Sequence, residues 1–261
     1  MASENRMIIG IFVALIVILA AVFGWWYLSR DGGEPLETAI AATPTPVPEP
    51  TPTLEERLSS RLSGTTLATS DAVVRELAAQ ISSHPKLAAW LVNEDLVRRF
   101  VASVDNIAAG VSPLAHLGFL RPKEGFEVDE QRSGVLVIEP DSYGRYDLVS
   151  QVFSSLDTEG TAALYRELEP LIDEAYAEIG PTNADFDDRL QKAFDLLLAV
   201  PVLEGPAEVE QLILTYAWAD DELEALSAAQ RHFLRMGPDN VSTIQDKLGE
   251  LRAALAASTG E

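Results

Sequence analysis

Residues 7–28 read MIIGIFVALIVILAAVFGWWYL, 22 residues without a single charge. A helix of that length crosses the hydrocarbon core of a bilayer. The run closes on Trp25-Trp26-Tyr27, the amphipathic aromatics that settle at a membrane–water interface. A secretory signal has a shorter apolar region followed closely by small residues. Here the only such pattern, Ala39-Ile40-Ala41, stands well beyond the apolar run. The sequence therefore predicts an uncleaved transmembrane helix over 7–28 behind a short polar tail, residues 1–6. Arg6 and Arg30 flank it with one positive charge each. The free amino terminus tips the balance toward a cytoplasmic N-terminus, which sends the rest of the chain out of the cytoplasm into a periplasm.

Outward from the anchor, residues 29–56 read as a linker. Asp31-Gly32-Gly33 breaks any continuing helix, and residues 43–52 alternate proline in TPTPVPEPTP. Alternating proline forbids helix and ladder pairing and favours polyproline II. At about 3.1 Å per residue those ten residues make a stalk of roughly 30 Å.

The remainder, 57–258, is long enough for one domain with a genuine core. Cysteine is absent, which removes disulfides, thiolate metal sites and cysteine nucleophiles. The chain carries 19 Lys+Arg against 41 Asp+Glu, a net charge of −22. Of these, 17 basic and 36 acidic residues follow Thr53, so the domain itself holds −19. Such a surface repels nucleic-acid phosphates and anionic lipid headgroups.

The domain's text is mostly helical. Ser70 stands as a cap before Val74, Leu77 and Ile81, and Pro85 fits the first turn of a short helix with Leu87, Trp90 and Leu91. Asn93 is placed to cap Val97, Phe100, Val101, Val104 and Ile107, a run that Gly110 stops. Residues 141–155 read as one helix. Asp157 opens a longer one to Ile179, in which Pro170 should introduce a bend. Helices follow at 185–199, after Asp220, at 228–236 behind the capping box Ser227-x-x-Gln230, and at 241–256. Two stretches read as strands, Phe126–Val128 and Val135–Ile138. A third, 212–218, has a helix-compatible period, yet its β-branched and aromatic residues after Gly205-Pro206 favour a strand. The expected class is mainly α with a minor α+β part: a helical domain with a small antiparallel sheet of two or three strands.

Three stretches stand out together: Arg98-Arg99-Phe100-Val101 with Asp105-Asn106, residues 142–147 (SYGRYD), and residues 234–240 (LRMGPDN). With Tyr216 and Ala219-Asp220 between the last two, they resemble a bacterial family catalogued as domain of unknown function 3014, over roughly residues 68–255. The resemblance implies a single-pass bacterial membrane protein with one helix-rich domain, which places it in the cytoplasmic (inner) membrane. It implies no activity, so no residue inherits a role.

Chemical signatures are few. His84, His116 and His232 share no motif, and no zincin, serine-hydrolase, P-loop or dinucleotide pattern occurs. No cofactor, metal site or catalytic residue is assigned. The clusters Asp185-Asp187-Asp188 and Asp220-Asp221-Glu222 sit where helices begin, which the helix dipole explains. The candidate binding residues are Tyr143, Arg145, Tyr146, Asp147, Arg235, Asp239 and Asn240, scarce arginines beside aromatics and tight turns. They make either a polar network that knits helices together or a pocket for an anionic group. The second use requires that Asp147 and Asp239 leave the two guanidiniums free. On this basis the chain is a membrane-anchored protein presenting an acidic helical interaction domain to a protein partner in the cell envelope. The alternative is an envelope hydrolase with paired carboxylates acting on cell-wall glycan or peptide, which requires a deep acidic cleft.

Overall fold

A computed structural model describes residues 54–182 and 184–257. The expected anchor at 7–28 and the proline-rich stalk lie outside the described residues. Among the described residues no helix is long and apolar enough to cross a membrane.

The chain begins with α1 (Leu54–Leu62), α2 (Asp71–Ala78), α3 (Pro85–Trp90) and α4 (Leu96–Ala108). Two 3₁₀ turns, Pro113–Ala115 and Gly118–Leu120, lead to the hairpin β1 (Val128–Glu130) and β2 (Leu136–Ile138). Next come α5 (Pro140–Tyr143), α6 (Asp147–Ser154), α7 (Thr158–Ile179) and α8 (Phe186–Leu198). A second hairpin follows, β3 (Glu208–Gln211) and β4 (Tyr216–Trp218). The described chain closes with α9 (Asp221–Glu224), α10 (Ala228–Leu234) and α11 (Pro238–Ala257).

Four amphipathic helices, α4, α7, α8 and α11, enclose the centre. Each turns one stripe inward: Val97, Val101 and Val104 from α4, Leu164, Leu168 and Leu171 from α7, Leu190 and Phe194 from α8, Val241, Ile244, Leu248 and Leu251 from α11. Each such side chain contributes roughly 1.5–3 kcal/mol on leaving water. Two arginines tie α4 to its neighbours. Arg98 grips Glu178 of α7 with two hydrogen bonds of 2.7 and 2.8 Å, and Arg189 of α8 donates to Asp105 at 2.8 Å.

Several local expectations change in the structure. Ser70 makes no cap; its hydroxyl turns back to Leu67 O at 2.9 Å. Asn93 does not cap α4 either. The N-cap is Asp95, with φ 58°, and the first amides of that helix donate instead to Asp71 across from α2 (2.7 and 2.9 Å). A capping carboxylate from another helix cannot be read from local spacing. The helix expected over 141–155 is broken into α5, a 3₁₀ turn at Gly144–Tyr146 and α6. Helix α7 does run on through Pro170, as its cap Asp157 and its terminus predict.

The sheet has four strands, not two or three, in the order β1-β2-β3-β4, every pair antiparallel. Four helices intervene between its two hairpins. Only Tyr216–Trp218 of the stretch 212–218 is strand; Leu212–Leu214 forms the hairpin tip, and β3 lies upstream of it. β3 escapes a sequence reading because three of its four residues are polar. Its single inward side chain, Val209, joins Ile138 and Trp218 on one buried face.

Candidate functional site

The central helices do not close completely. A cavity of about 860 Å³ lies among α4, α6, α7, α8, α10 and α11, within the range of roughly 300–1,000 Å³ typical of small-molecule sites. It is drawn out along the helices. On α11 its wall runs from Ile244 through Leu248 and Leu251 to Leu255, and on α4 from Leu96 to Ile107. Each is a span of about 16 Å at 1.5 Å per residue.

Residues 113–122, the two 3₁₀ turns, form the cover. Leu114, Leu117 and Leu120 are only half-buried because their inner sides line the cavity and not the core. Arg99 pins this cover down: its guanidinium donates to His116 O (3.2 Å) and to Glu94 O (2.7 Å). Trp90 packs against Phe119 with ring centroids 6.4 Å apart.

The wall is almost wholly apolar and contains no aspartate or glutamate. Its charged and titratable members are Arg99, Arg121, Arg145, His232, Tyr146 and Tyr165. Tyr165 is engaged at its hydroxyl, which donates to Asp187, and burial together with that carboxylate raises its pKa. The cleft that a carboxylate-based hydrolase requires is thus not this one. A second, smaller hollow of about 450 Å³ gathers Glu124, Glu127 and Asp141 beside Arg145 on the surface.

Positive charge collects at one end of the cavity. Arg145 stands just before α6, His232 on α10 and Arg121 where the cover ends. Just behind them, Arg235 and Arg145 both lie over the ring of Phe126, at 5.7 and 5.4 Å from its centroid. Arg145 also stacks on Tyr146 (5.2 Å) and Arg235 on Trp218 (5.8 Å). Hydrogen bonds fix their poses without neutralising them. Arg145 donates to Ser142 O (2.6 Å) and Glu124 O (3.3 Å), and Arg235 to Tyr216 O. Among the described residues none of Arg99, Arg121, Arg145 or Arg235 has a carboxylate within ion-pair distance, whereas Arg98, Arg189, Arg231 and Arg252 each have one.

The crowding bears on the acid–base chemistry of these groups. Burial lowers the pKa of Arg235, and Arg231 and Arg145 lower it further against the pull of Glu224. Burial likewise holds His232 below the ordinary histidine value, helped by the fields of Arg235 and Arg121. Ser112 Oγ accepts from Leu114 N (3.4 Å), so its hydrogen is available for His232 Nδ1 at 3.0 Å. That arrangement suits a neutral imidazole with its proton on Nε2.

The seven residues singled out in the sequence separate into two groups. Arg145 and Tyr146 line the cavity, with Arg235 stacked alongside. Tyr143, Asp147 and Asn240 belong to a joint between α5–α6 and α11. Asn240 is 6% exposed, and its side-chain amide donates to Met236 O (2.9 Å), Asp147 Oδ1 (3.1 Å) and Tyr143 O (3.2 Å). Asp239 is exposed in the first turn of α11 and touches neither arginine. Sequence reasoning missed Arg99, Arg121, His232 and the cavity itself. The available signal was residues 113–122, a proline-bounded turn with more leucine and phenylalanine than a solvated loop requires.

Residues 96–252 match the family described as Protein of unknown function (DUF3014). The chain belongs to this family. The matched span runs from the start of α4 into α11, so the arginine end and all of the cavity wall but Leu255 fall within the family's domain. No curated protein and no solved structure matches the chain.

Proposed function

We propose that this member of the family is a single-pass membrane protein whose domain, held off the cytoplasmic membrane of a bacterial cell on a proline-rich stalk, binds an apolar ligand in the envelope. The observation that carries the reading is the 860 Å³ cavity with its wall free of acidic side chains. In a chain of 41 acidic residues, such a wall is a place where sequence and fold together keep negative charge out. The anchor reading rests on residues 7–28 alone. Among the described residues no group of three or more histidine, aspartate or glutamate side chains is placed to hold a metal ion.

A test uses the full chain in native membranes and a neutral, photoreactive long-chain alcohol. Illumination should crosslink the probe both within residues 7–28 and at cavity-lining positions of α4, α8 and α11. Labelling confined to other surfaces, with the cavity untouched, overturns the binding reading. Absence of labelling in 7–28 overturns the anchor.

One observation favours a second use of the domain, contact with a protein partner in the envelope. Ile213 and Leu214 at the β3–β4 tip are 98% and 92% exposed, beside a half-exposed Leu212. Three aliphatic residues in a row on a hairpin tip form an apolar contact point. Ile213→Asp with Leu214→Asp should leave folding intact and release such a partner from a chemical-crosslinking assay in whole cells.

A further inference from the structure

The cavity has two chemical ends, and together they specify more than an apolar ligand. Along α11 the wall is hydrocarbon for about 16 Å, and along α4 it is apolar apart from Arg99 and Ser103, a drawn-out shape that suits a flexible chain better than a compact ring system. At the end where α6 begins, Arg121, Arg145 and His232 line the same space. The last wall residues at the ends of α6 and α11, Phe153, Leu156, Leu251 and Leu255, are apolar, and the wall's remaining arginine, Arg99 on α4, spends its guanidinium on the cover through Glu94 O and His116 O.

The cationic end is poorly satisfied by the protein itself. A guanidinium offers five N–H donors. Arg145 spends its donors on two backbone carbonyls, both neutral, and among the described residues no hydrogen bond engages the guanidinium of Arg121. Acidic residues outnumber basic ones about two to one in this chain, yet among the described residues no carboxylate lies within 4.0 Å of either arginine. Stacking on Phe126 and Tyr146 holds Arg145 in position, and Glu124, Glu127 and Asp141, which share its surface hollow, make no ion-pair contact with it. Cations at the rim of an apolar cavity pair favourably with an anion that brings its own apolar tail.

We propose that the cavity holds the hydrocarbon chain of a single-chain anionic amphiphile, with Arg121 and Arg145 bound to its carboxylate or phosphate head. The assignment rests on the apolar-ligand reading above and adds the sign and position of the head. Two sources share this chemistry, a free fatty acid and a lysophospholipid, and the test separates them.

The full chain in native membranes is illuminated with two photoreactive probes of equal length, one ending in a carboxylate and one in an alcohol. The carboxylate probe should label α8 and α11 positions such as Leu197 and Leu251 at concentrations about tenfold or more below those the alcohol requires. One charge-assisted contact is worth about that factor. Excess palmitate or lysophosphatidate should compete, and the stronger competitor identifies the head. An alkyltrimethylammonium of equal length should compete no better than the alcohol.

Arg145→Gln should weaken carboxylate labelling about tenfold and leave alcohol labelling unchanged. Arg121→Gln should do the same, and because Arg121 is exposed that variant remains readable if Arg145→Gln fails to fold. Equal labelling by both probes, unmoved by either substitution, overturns the headgroup assignment while the apolar-ligand reading stands. Cavity positions silent to both probes overturn both. Preferential competition by the cationic amphiphile also overturns the proposal.

Discussion

Residues 142–147 and 234–240 each supply members to two neighbouring regions with opposite habits. Tyr143, Asp147, Gly237 and Asn240 pack on one another, with the Asn240 amide bonded to the acceptors around it, Tyr143 O, Asp147 Oδ1 and Met236 O. Arg145 and Arg235, from the same two stretches, are stacked and steered but left without carboxylates. The difference separates what these segments do for the fold from what they hold ready for something else. A joint that satisfies itself needs no ligand. Cations that are fixed in place and left unneutralised, in so acidic a chain, retain charge for an outside partner. Substitutions in the joint should therefore move stability alone, and those at the cationic end should move binding while stability barely changes.

The largest effect is expected at Gly237. Its φ is +88°, and a Cβ there would lie 2.4 Å from the ring of Tyr143. Alanine meets a left-handed backbone and a collision with the partly buried ring packed against the core. Gly237→Ala should cost about 3 kcal/mol of unfolding free energy, read by denaturant titration. A loss below about 1 kcal/mol would show that α11 can be entered by another path. Asn240→Ala comes next, at about 2 kcal/mol, because it strands the carbonyls of Tyr143 and Met236 in a buried site. By contrast Arg121→Gln, on an exposed side chain, should stay within about 0.5 kcal/mol of the parent. If it destabilises as much as Asn240→Ala, the two regions are not distinct and the cationic end is structural.

The pH profile sharpens the contrast from the other side. His232 is held below its ordinary pKa by burial first and by Arg235 and Arg121 after it. The unfolded chain therefore binds the imidazole proton more readily than the folded one. Stability is full above the unfolded value of about 6.5 and falls as the pH drops below it, by at most about 1.4 kcal/mol per pH unit. Thermal melts between pH 7.5 and 5.5 should show this decline, and His232→Gln should flatten it.

How far the sequence leads to this picture depends on where each signal resides. Helices α7, α8, α10 and α11 are legible because their stripes, and the caps Asp157, Asp185 and Ser227 where they occur, are local. Asp185 and Asp220 do stand at helix starts accepting amide hydrogens, a role that dipole and capping arguments recover. The cap of α4 is not legible, since Asp71 reaches it from 24 residues away. Strand β3 hides behind its glutamates. Arg145 and Arg235 are legible as scarce basic residues beside aromatics, but their shared ring, Phe126, lies in a different segment from both. The cavity is least legible of all. Its leucines obey the same helical period as core leucines, and only the packing of six helices decides which of them meet a neighbour and which meet space.

The smallest predicted effect lies at the other electrostatic extreme, where α7 and α8 bring acids together. Glu169 and Asp173 are four residues apart on one helix, and Asp185 and Asp187 add their fields from the next segment. Partial burial raises both pKa values first, and the neighbouring carboxylates raise them further. A raised folded pKa means that the folded chain holds the proton more tightly than the unfolded one. This contribution to stability therefore grows as the pH falls through the carboxylate range and is lost as the pH rises above it. At neutral pH both groups are ionised and repel, so Glu169→Gln should stabilise the domain. A like-charge pair at this spacing costs roughly 0.2–0.5 kcal/mol, which sets the size of the gain. The gain should vanish below about pH 4, where the parent residue is itself protonated. Arg145 offers no such gain on neutralisation, because stacking on Phe126 and Tyr146 and two carbonyl hydrogen bonds already stabilise its charge. If Glu169→Gln is neutral while Arg145→Gln stabilises, the strained charge belongs to the cavity and not to the acidic face, and the contrast between the two is reversed.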